Sequence, residues 1–210
     1  MKRKLLFALM LLLGFSLSAL AQNKDPKEDE RIQLARTKYT EGMEMIANNT
    51  EKDKPSNYTT VVRKQNWPTT GQRVEETEFY YKEIVNEEDP YATGYALCMV
   101  CNTYNVAARE YYEEYVYDDN GQPLFFYARY DEANAKHAAK TELRQYYDEA
   151  GNAIRTIYKT SDKDGKMKEI KENSDSEIVQ SGKFMLRFVG DNFAHLKAVF
   201  DTIYNYNTNK

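Results

Sequence analysis

Residues 109–130 read REYYEEYVYDDNGQPLFFYARY and have the composition of a β-hairpin. The runs Arg109–Tyr117 and Leu124–Tyr130 are rich in Tyr, Phe and Val, residue types that are enriched in strands. Between them, Asp118-Asp119-Asn120-Gly121 provides a glycine for the positive φ that a tight hairpin turn requires. The stretch therefore predicts two antiparallel strands joined by a short turn.

A second turn repeats the first one in a matching frame. Tyr117-Asp118-x-x-Gly121-x-x-Leu124 corresponds to Tyr147-Asp148-x-x-Gly151-x-x-Ile154, and Asp162-Lys163-Asp164-Gly165 is a weaker third turn without the leading tyrosine. These frames resemble the Tyr-Asp-x-x-Gly hairpins found in many secreted bacterial β-proteins, including YD-repeat proteins. The resemblance covers two short segments and implies an antiparallel meander.

The strands that flank these turns belong to a longer β-rich region. Its segments combine β-branched and aromatic residues and are bounded by turn-forming residues. We predict strands at Tyr58–Val62, Val74–Val85, Tyr95–Tyr104, Arg109–Tyr117, Leu124–Tyr130, Glu142–Tyr147, Ile154–Thr160 and Met167–Lys171. The segment Tyr95–Tyr104 is apolar on both alternating sets of positions, which predicts a central strand buried on two sides.

Apolar residues near the C-terminus recur at alternating steps of three and four, which is the period of an amphipathic helix. The positions are Val179, Gly182, Leu186, Val189, Phe193, Leu196, Phe200 and Ile203. We predict one long helix over about Asp175–Tyr204, with Ser174 and Glu177 at the spacing of a capping box. In the alternative, Phe184–Val189 is a strand and the helix starts at Asp191.

Another helix is predicted near the N-terminus, with Asp25 as its N-cap and Pro26 in its first turn. Its apolar stripe consists of Ile32, Ala35, Tyr39, Met43 and Ile46. Together the elements predict a single α+β domain over residues 22–210. Its antiparallel β-meander sheet of about six to eight strands would carry the N-terminal helix and the long C-terminal helix on one face.

Met1–Ala21 has the three parts of a secretory signal peptide. They are the basic Lys2-Arg3-Lys4, the apolar run Leu5–Leu13 and the small-residue cleavage site Ala19-Leu20-Ala21. We therefore predict an exported protein, periplasmic or secreted after cleavage near Ala21, and the alternative is an N-terminal anchor helix. No later run reaches the roughly 18 apolar residues of a membrane span. The leader, followed by Gln22 and a body rich in Tyr, Asn and Lys, resembles exported proteins of the Bacteroidetes type, a resemblance that implies no activity.

The charge balance excludes two classes of partner. The chain has 29 basic and 33 acidic residues and a net charge of −4. Removal of the leader takes away three basic residues and no acidic one, so the remaining chain carries about −7. Nucleic acids and anionic membranes bind basic surfaces, so neither is expected as a partner.

Cys98 and Cys101 have the spacing of a redox pair or half a zinc site, but they lie in a predicted buried strand. In an extended strand, residues three apart face opposite sides with Cα atoms about 10 Å apart, which is beyond the reach of a disulfide. Zinc would need two further ligands, for which His137 and His195 are the available histidines. We predict two small buried thiols that do not pair, no metal site and no cofactor.

No catalytic motif stands out in the sequence. It contains no Gly-x-Ser-x-Gly elbow and no glycine-rich phosphate loop after a strand. The acidic runs at Glu75–Glu78, Glu87–Asp89 and Glu113-Glu114 are predicted to be solvated strand faces or loops. A glycosidase needs two carboxylates held across a cleft, so a hydrolase is the most distant hypothesis and a non-catalytic protein is favoured.

Tyrosines provide the candidate binding residues. Tyr111, Tyr115 and Tyr117 share one face of their strand, whereas Tyr112 and Val116 share the other. Exposed tyrosines suit glycan or protein recognition, and the alternative is that these rings form cross-strand packing pairs. The predicted function is binding of an envelope or extracellular protein through an exposed face or edge of the sheet. The alternative function is binding of a glycan or small ligand through the tyrosines, in a pocket between helix and sheet.

Overall fold

The eight predicted strands form one antiparallel sheet, in which strands that follow each other in sequence are neighbours in space. The structure, a computed structural model, describes residues 26–49, 57–69, 71–85, 87, 94–132, 139–162 and 164–204. The predicted leader and His137 lie outside these residues. The elements are α1 (Pro26–Asn48), β1 (Tyr58–Trp67), β2 (Gly71–Ile84), β3 (Gly94–Val106), β4 (Arg109–Tyr117), β5 (Pro123–Glu132), β6 (Ala139–Tyr147), β7 (Ala153–Ser161), β8 (Met167–Ile170) and α2 (Glu177–Tyr204). The predicted α+β fold with a β-meander sheet is confirmed.

The hairpin turns are held by aspartate side chains, as their sequence frame predicts. Asp118 Oδ1 accepts hydrogen bonds of 2.9 Å from the main-chain N–H groups of Asn120 and Gln122. Gly121 has a φ of 72°, a left-handed conformation that glycine adopts without strain. The turns at residues 148–152 and 162–166 repeat these bonds, so the third turn adopts the same geometry without the leading tyrosine.

Helices α1 and α2 cover opposite faces of the sheet. Consecutive strand residues point to opposite faces, and Tyr80 and Met99 pack with α1 while their neighbours Phe79 and Val100 pack with α2. The expectation that both helices lie on one face is therefore corrected. The physical reason is that the central strands are apolar at both alternating sets of positions, so each face requires a cover. We refer to the two sides as the α1 face and the α2 face.

Arg31 joins α1 to two hairpin turns at the end of the sheet. Its Nη1 donates to Asp118 Oδ2 at 3.0 Å, and its Nε donates to the carbonyl of Tyr147 at 3.1 Å. Its Nη2 donates to the carbonyls of Pro123 at 3.2 Å and Asp148 at 3.4 Å. One buried guanidinium thus connects both Tyr-Asp turns, whose sequence frames are identical but which lie far apart in the chain.

Helix α2 is continuous from Glu177 to Tyr204. This confirms the long-helix prediction, and the alternative strand at Phe184–Val189 is wrong. The N-cap is Ser176, whose Oγ accepts the N–H of Val179 at 3.3 Å, rather than the expected Ser174. Neither described helix has the length and apolarity required to cross a membrane.

Candidate functional site

A cavity of about 230 Å³ lies between strands β1–β4 and the second half of α2. We call it the α2 pocket. Asn192, His195, Leu196 and Val199 of α2 form its roof. Its floor and walls come from the α2 face of the sheet: Val61, Arg63, Arg73, Glu75, Thr77, Phe79, Asn102, Tyr104, Glu113 and Tyr115. The pocket is therefore built from residues of four strands and one helix.

The floor of the α2 pocket is polar because of the register of β2, β3 and β4. Asn102 lies opposite Thr77 on one side and opposite Glu113 on the other. Glu75 is two residues before Thr77 and therefore points to the same face. Farther along β2, β3 and β4, the residues that point to this same face are apolar, and α2 packs closely on them.

Glu113 is the most buried acidic group of the pocket, with 3% of its surface exposed. Its Oε1 accepts a hydrogen bond of 2.7 Å from the hydroxyl of Tyr104, and its Oε2 accepts one of 2.6 Å from Tyr115. Burial raises the pKa of Glu113, although the hydrogen bonds from these tyrosines favour the charged form. The protonated state of this carboxyl is thus favoured more than in water.

Glu75 is the centre of a second set of contacts. Its Oε2 accepts hydrogen bonds from Arg63 Nε at 3.1 Å and from Arg63 Nη2. Arg73 Nη2 is 3.5 Å from the same oxygen, and Asn102 Nδ2 donates to Oε1 at 3.2 Å. The negative charge of Glu75 is therefore balanced chiefly by Arg63.

A row of aromatic rings continues the pocket across the sheet. The guanidinium of Arg73 lies 5.5 Å from the ring centroid of Trp67 and 4.5 Å from that of Tyr104. Tyr104 stacks on Tyr111 with centroids 5.0 Å apart, and Tyr111 contacts Tyr130 at 5.5 Å. These cation–π contacts, together with the 3.5 Å ion pair to Glu75, hold the Arg73 side chain in place.

The three predicted binding tyrosines have different positions. Tyr111 is half-buried in the aromatic row. The ring of Tyr115 is buried against α2, and its hydroxyl lines the pocket and accepts a hydrogen bond from Asn192 at 3.1 Å. Tyr117 is buried in the core and donates to the carbonyl of Phe193 at 2.9 Å. The rings of Tyr115 and Tyr117 therefore match the packing alternative, because α2 covers them.

The expectation that Glu113 and Glu114 are solvated is wrong. Both are 3% exposed, and they lie on opposite faces of β4. On the α1 face, Glu114 Oε1 accepts a hydrogen bond of 2.7 Å from Tyr112, and burial raises the pKa of this carboxyl as well. Two adjacent acidic residues in a sequence usually predict exposed side chains. Here both side chains are buried, because a helix covers each face of the sheet and tyrosine hydroxyls donate hydrogen bonds to the two carboxyl groups.

Cys98 and Cys101 are both free thiols, and Cys101 is buried as predicted, whereas Cys98 is only half-buried. Cys101 is buried on the α1 face, whereas Cys98 lies at a β-bulge opposite Tyr80 and Tyr81. Burial raises the pKa of both thiols, so neither is activated as a nucleophile. In the described part of the chain, no group of three or more His, Cys, Asp or Glu residues could hold a metal ion.

A scan against protein-family models, a search of curated proteins and a search of solved structures found no match to this chain. Sequence reasoning missed most of the α2 pocket, including Arg73 and Asn192. The available signal was the polarity of Glu75, Asn102 and Glu113, which lie in the same alternating rows as the buried Phe79, Val100 and Tyr115.

The raised pKa of Glu113 predicts a pH-dependent stability. Free glutamate titrates near pH 4.3, so above this pH the unfolded chain releases a proton that folded Glu113 retains. The stabilisation from this group is complete below the unfolded pKa and is lost as pH rises through the folded pKa. Because Glu113→Gln does not titrate, the difference in free energy of unfolding between this variant and the wild type should change in favour of the variant as pH rises above about 4.3.

Urea denaturation at pH 4 to 8 measures this effect, and the difference between the two proteins isolates Glu113 from the other carboxyl groups. Glu76→Gln, at an exposed position of β2, is the matched control and should leave the pH dependence unchanged. A constant difference between Glu113→Gln and wild type at every pH would contradict the prediction.

Proposed function

We propose that this chain is an exported, non-catalytic binding domain whose ligand is a small polar molecule held in the α2 pocket. The observation that carries this proposal is the buried carboxyl of Glu113, which two tyrosine hydroxyls hold at the floor of an open cavity. Buried polar groups cost stability unless they are fully paired. A site where they line a cavity and one of them has a perturbed pKa is a binding-site candidate on physical grounds.

The size of the cavity limits the ligand. Pockets for drug-sized molecules measure roughly 300–1,000 Å³, and the α2 pocket measures about 230 Å³. A monosaccharide or a small organic acid is the size class that suits it. The amides of Asn102 and Asn192 and the hydroxyl of Tyr104 can each bond to ligand hydroxyl groups. This supports the small-ligand function over recognition of a large surface.

The free edge of β1 is less favourable as a binding surface. β1 is exposed along almost its whole length, and Val62 is 54% exposed. However, the exposed Lys64 places a charge at its centre. Charged residues, lysine above all, are a common means by which edge strands avoid pairing with other chains. The edge therefore has the features of a protected strand.

Hydrolysis is also less well supported than binding. A glycosidase requires one carboxyl group that can donate a proton to the substrate and a second that faces the reacting carbon or a water. Both oxygens of Glu113 already accept tyrosine hydroxyls, and both oxygens of Glu75 accept donors from Arg63 and Asn102. Each of these oxygens is thus held by a donor of the protein itself, which favours a site that binds its ligand without transforming it.

Thermal unfolding with a panel of monosaccharides, sugar acids and small organic acids tests the proposal. A ligand at ten times its Kd should raise Tm by about 3–6 °C for a domain of this size. Asn192→Ala removes a roof residue and should abolish most of the shift. Gln180→Ala, at an exposed position earlier on α2, is the matched control and should retain it. The absence of a shift for every compound, or equal shifts in both variants, would contradict binding in the pocket.

A further inference from the structure

The charges of the α2 pocket indicate the chemical class of its ligand, an inference that rests on the proposed function. We propose that the ligand is a small hydroxy acid, such as a sugar acid, and that Arg73 binds its carboxylate. Arg73 is held in position on the wall of the pocket, its ion pair with Glu75 is long at 3.5 Å, and its Nε has no hydrogen-bond partner.

Arg73 is oriented by two ring contacts and by a long ion pair with Glu75, whose Oε2 it shares with Arg63. Its guanidinium lies between Trp67 and Tyr104, at 5.5 and 4.5 Å from the two ring centroids. Its approach to Glu75 Oε2 is 3.5 Å, longer than the roughly 2.7–2.9 Å of a charge-assisted hydrogen bond. Its buried Nε has no hydrogen-bond partner. Buried donors almost always have an acceptor, so a guanidinium held in this way is prepared for one that a ligand supplies.

Glu75 does not require Arg73 as its counter-ion. Arg63 donates to Glu75 Oε2 through both Nε and Nη2, and Asn102 donates to Oε1. The pairing of Arg63 with Glu75 neutralises both groups. The charge of Arg73 is therefore the remaining positive charge on the sheet side of the pocket, within a chain whose net charge is −4.

The second carboxyl of the pocket does not cancel this charge. Burial raises the pKa of Glu113, which favours its neutral form, and its oxygens are occupied by Tyr104 and Tyr115. The hydrogen bonds of its two oxygens are made with these tyrosine hydroxyls and not with Arg73. The pocket thus combines the guanidinium of Arg73 with hydroxyl and amide groups, which suits an anionic ligand that also carries hydroxyls.

A carboxylate fits this arrangement better than a phosphate. Both anions accept the paired N–H groups of arginine. A phosphate group carries more charge and is typically bound at the N-terminus of a helix, where free N–H groups and the helix dipole stabilise it. The roof of the α2 pocket is the second half of α2, far from that helix's N-terminus at Glu177. One arginine and uncharged polar groups therefore match a carboxylate.

Trp67 provides a direct readout, because it is the chain's single tryptophan and its ring faces Arg73. Fluorescence titration and calorimetry would compare each uronic acid with its neutral parent sugar: glucuronate with glucose, galacturonate with galactose and mannuronate with mannose. We expect at least one acid to bind tenfold or more tightly than its parent, to change Trp67 fluorescence and to bind more weakly as salt is added.

Arg73→Gln should weaken binding of the acid tenfold or more while changing binding of the neutral sugar less than twofold. Arg73→Lys keeps the charge without the planar fork, so its affinity should be intermediate. Arg187→Gln is the matched control, because Arg187 also contacts an aromatic ring, that of Phe184, but lies on exposed α2 surface outside the pocket.

Three outcomes would overturn the inference. If neutral sugars bind as tightly as the acids and Arg73→Gln binds both normally, the carboxylate assignment fails while the proposed function stands. If glucose 6-phosphate or another sugar phosphate binds more tightly than every uronate, the choice of carboxylate fails in the same way. If no sugar, acid or phosphate binds the folded protein at millimolar concentration, the proposed function and this inference both fail.

Discussion

Arg31→Ala is expected to lower the free energy of unfolding by about 3–5 kcal/mol, the cost of removing one partner from a buried ion pair. Arg31 and Asp118 are 9% and 7% exposed, and their atoms are 3.0 Å apart. The substitution would also remove the hydrogen bonds that Arg31 donates to the carbonyls of Tyr147 and Pro123. Urea denaturation followed by far-UV circular dichroism measures the loss.

The matched control is Lys38→Ala, on the same helix. Lys38 pairs with Asp119, the residue next to Asp118, at 2.6 Å, but Asp119 is 81% exposed. Such surface pairs contribute about 0–1 kcal/mol, so this variant should remain close to wild type. Arg31→Lys retains the charge but cannot donate to both turns at once, and an intermediate loss is expected. Equal losses for Arg31→Ala and Lys38→Ala would show that the two turns do not depend on the buried guanidinium.

Gly182→Ala is expected to destabilise the protein by about 1–2 kcal/mol, although alanine is the better helix former. A Cβ at Gly182 would lie 2.6 and 2.9 Å from two ring carbons of Tyr158. Tyr158 is buried in the core under α2, so its ring cannot move aside freely. The overpacking costs about 1–3 kcal/mol or more, which exceeds the ~1 kcal/mol gained in helix propensity.

Gly190→Ala is the matched control for the same helix, because nothing lies within 4 Å of a Cβ placed there. This substitution should stabilise the protein by about 0.5–1 kcal/mol through helix propensity alone. The measurement is again urea denaturation, and the decisive result is the opposite sign of the two changes. Stabilisation by both alanines would mean that α2 can shift away from Tyr158 at little cost.

The local elements of this fold could be predicted closely from sequence. The turn at Asp118 and Gly121 depends on an aspartate that accepts nearby N–H groups and on a glycine with positive φ, both of which act over five residues. Strand β1 was predicted to end at Val62 but continues to Trp67. Its polar second half is exposed on both faces at the edge of the sheet, so it has no alternating pattern to detect.

The candidate site was predicted only in part. A pocket between helix and sheet was one of the alternatives, and the hydroxyl of Tyr115 does line it. The charged groups of the pocket were not found, because Glu113 has the sequence context of a solvated residue. Its burial depends on Tyr104 across the sheet and on α2, which begins more than sixty residues later in the chain.

The order of the strands and the extents of the two helices follow from the chain's own local chemistry. Turn geometry, capping and hydrophobic period all act between residues that are close in sequence. The face that each helix covers, the burial of Glu113 and the unpartnered donor of Arg73 follow from tertiary packing. Each depends on side chains brought together from distant strands, where burial and neighbouring charges outweigh the preferences that a residue type has in a local segment.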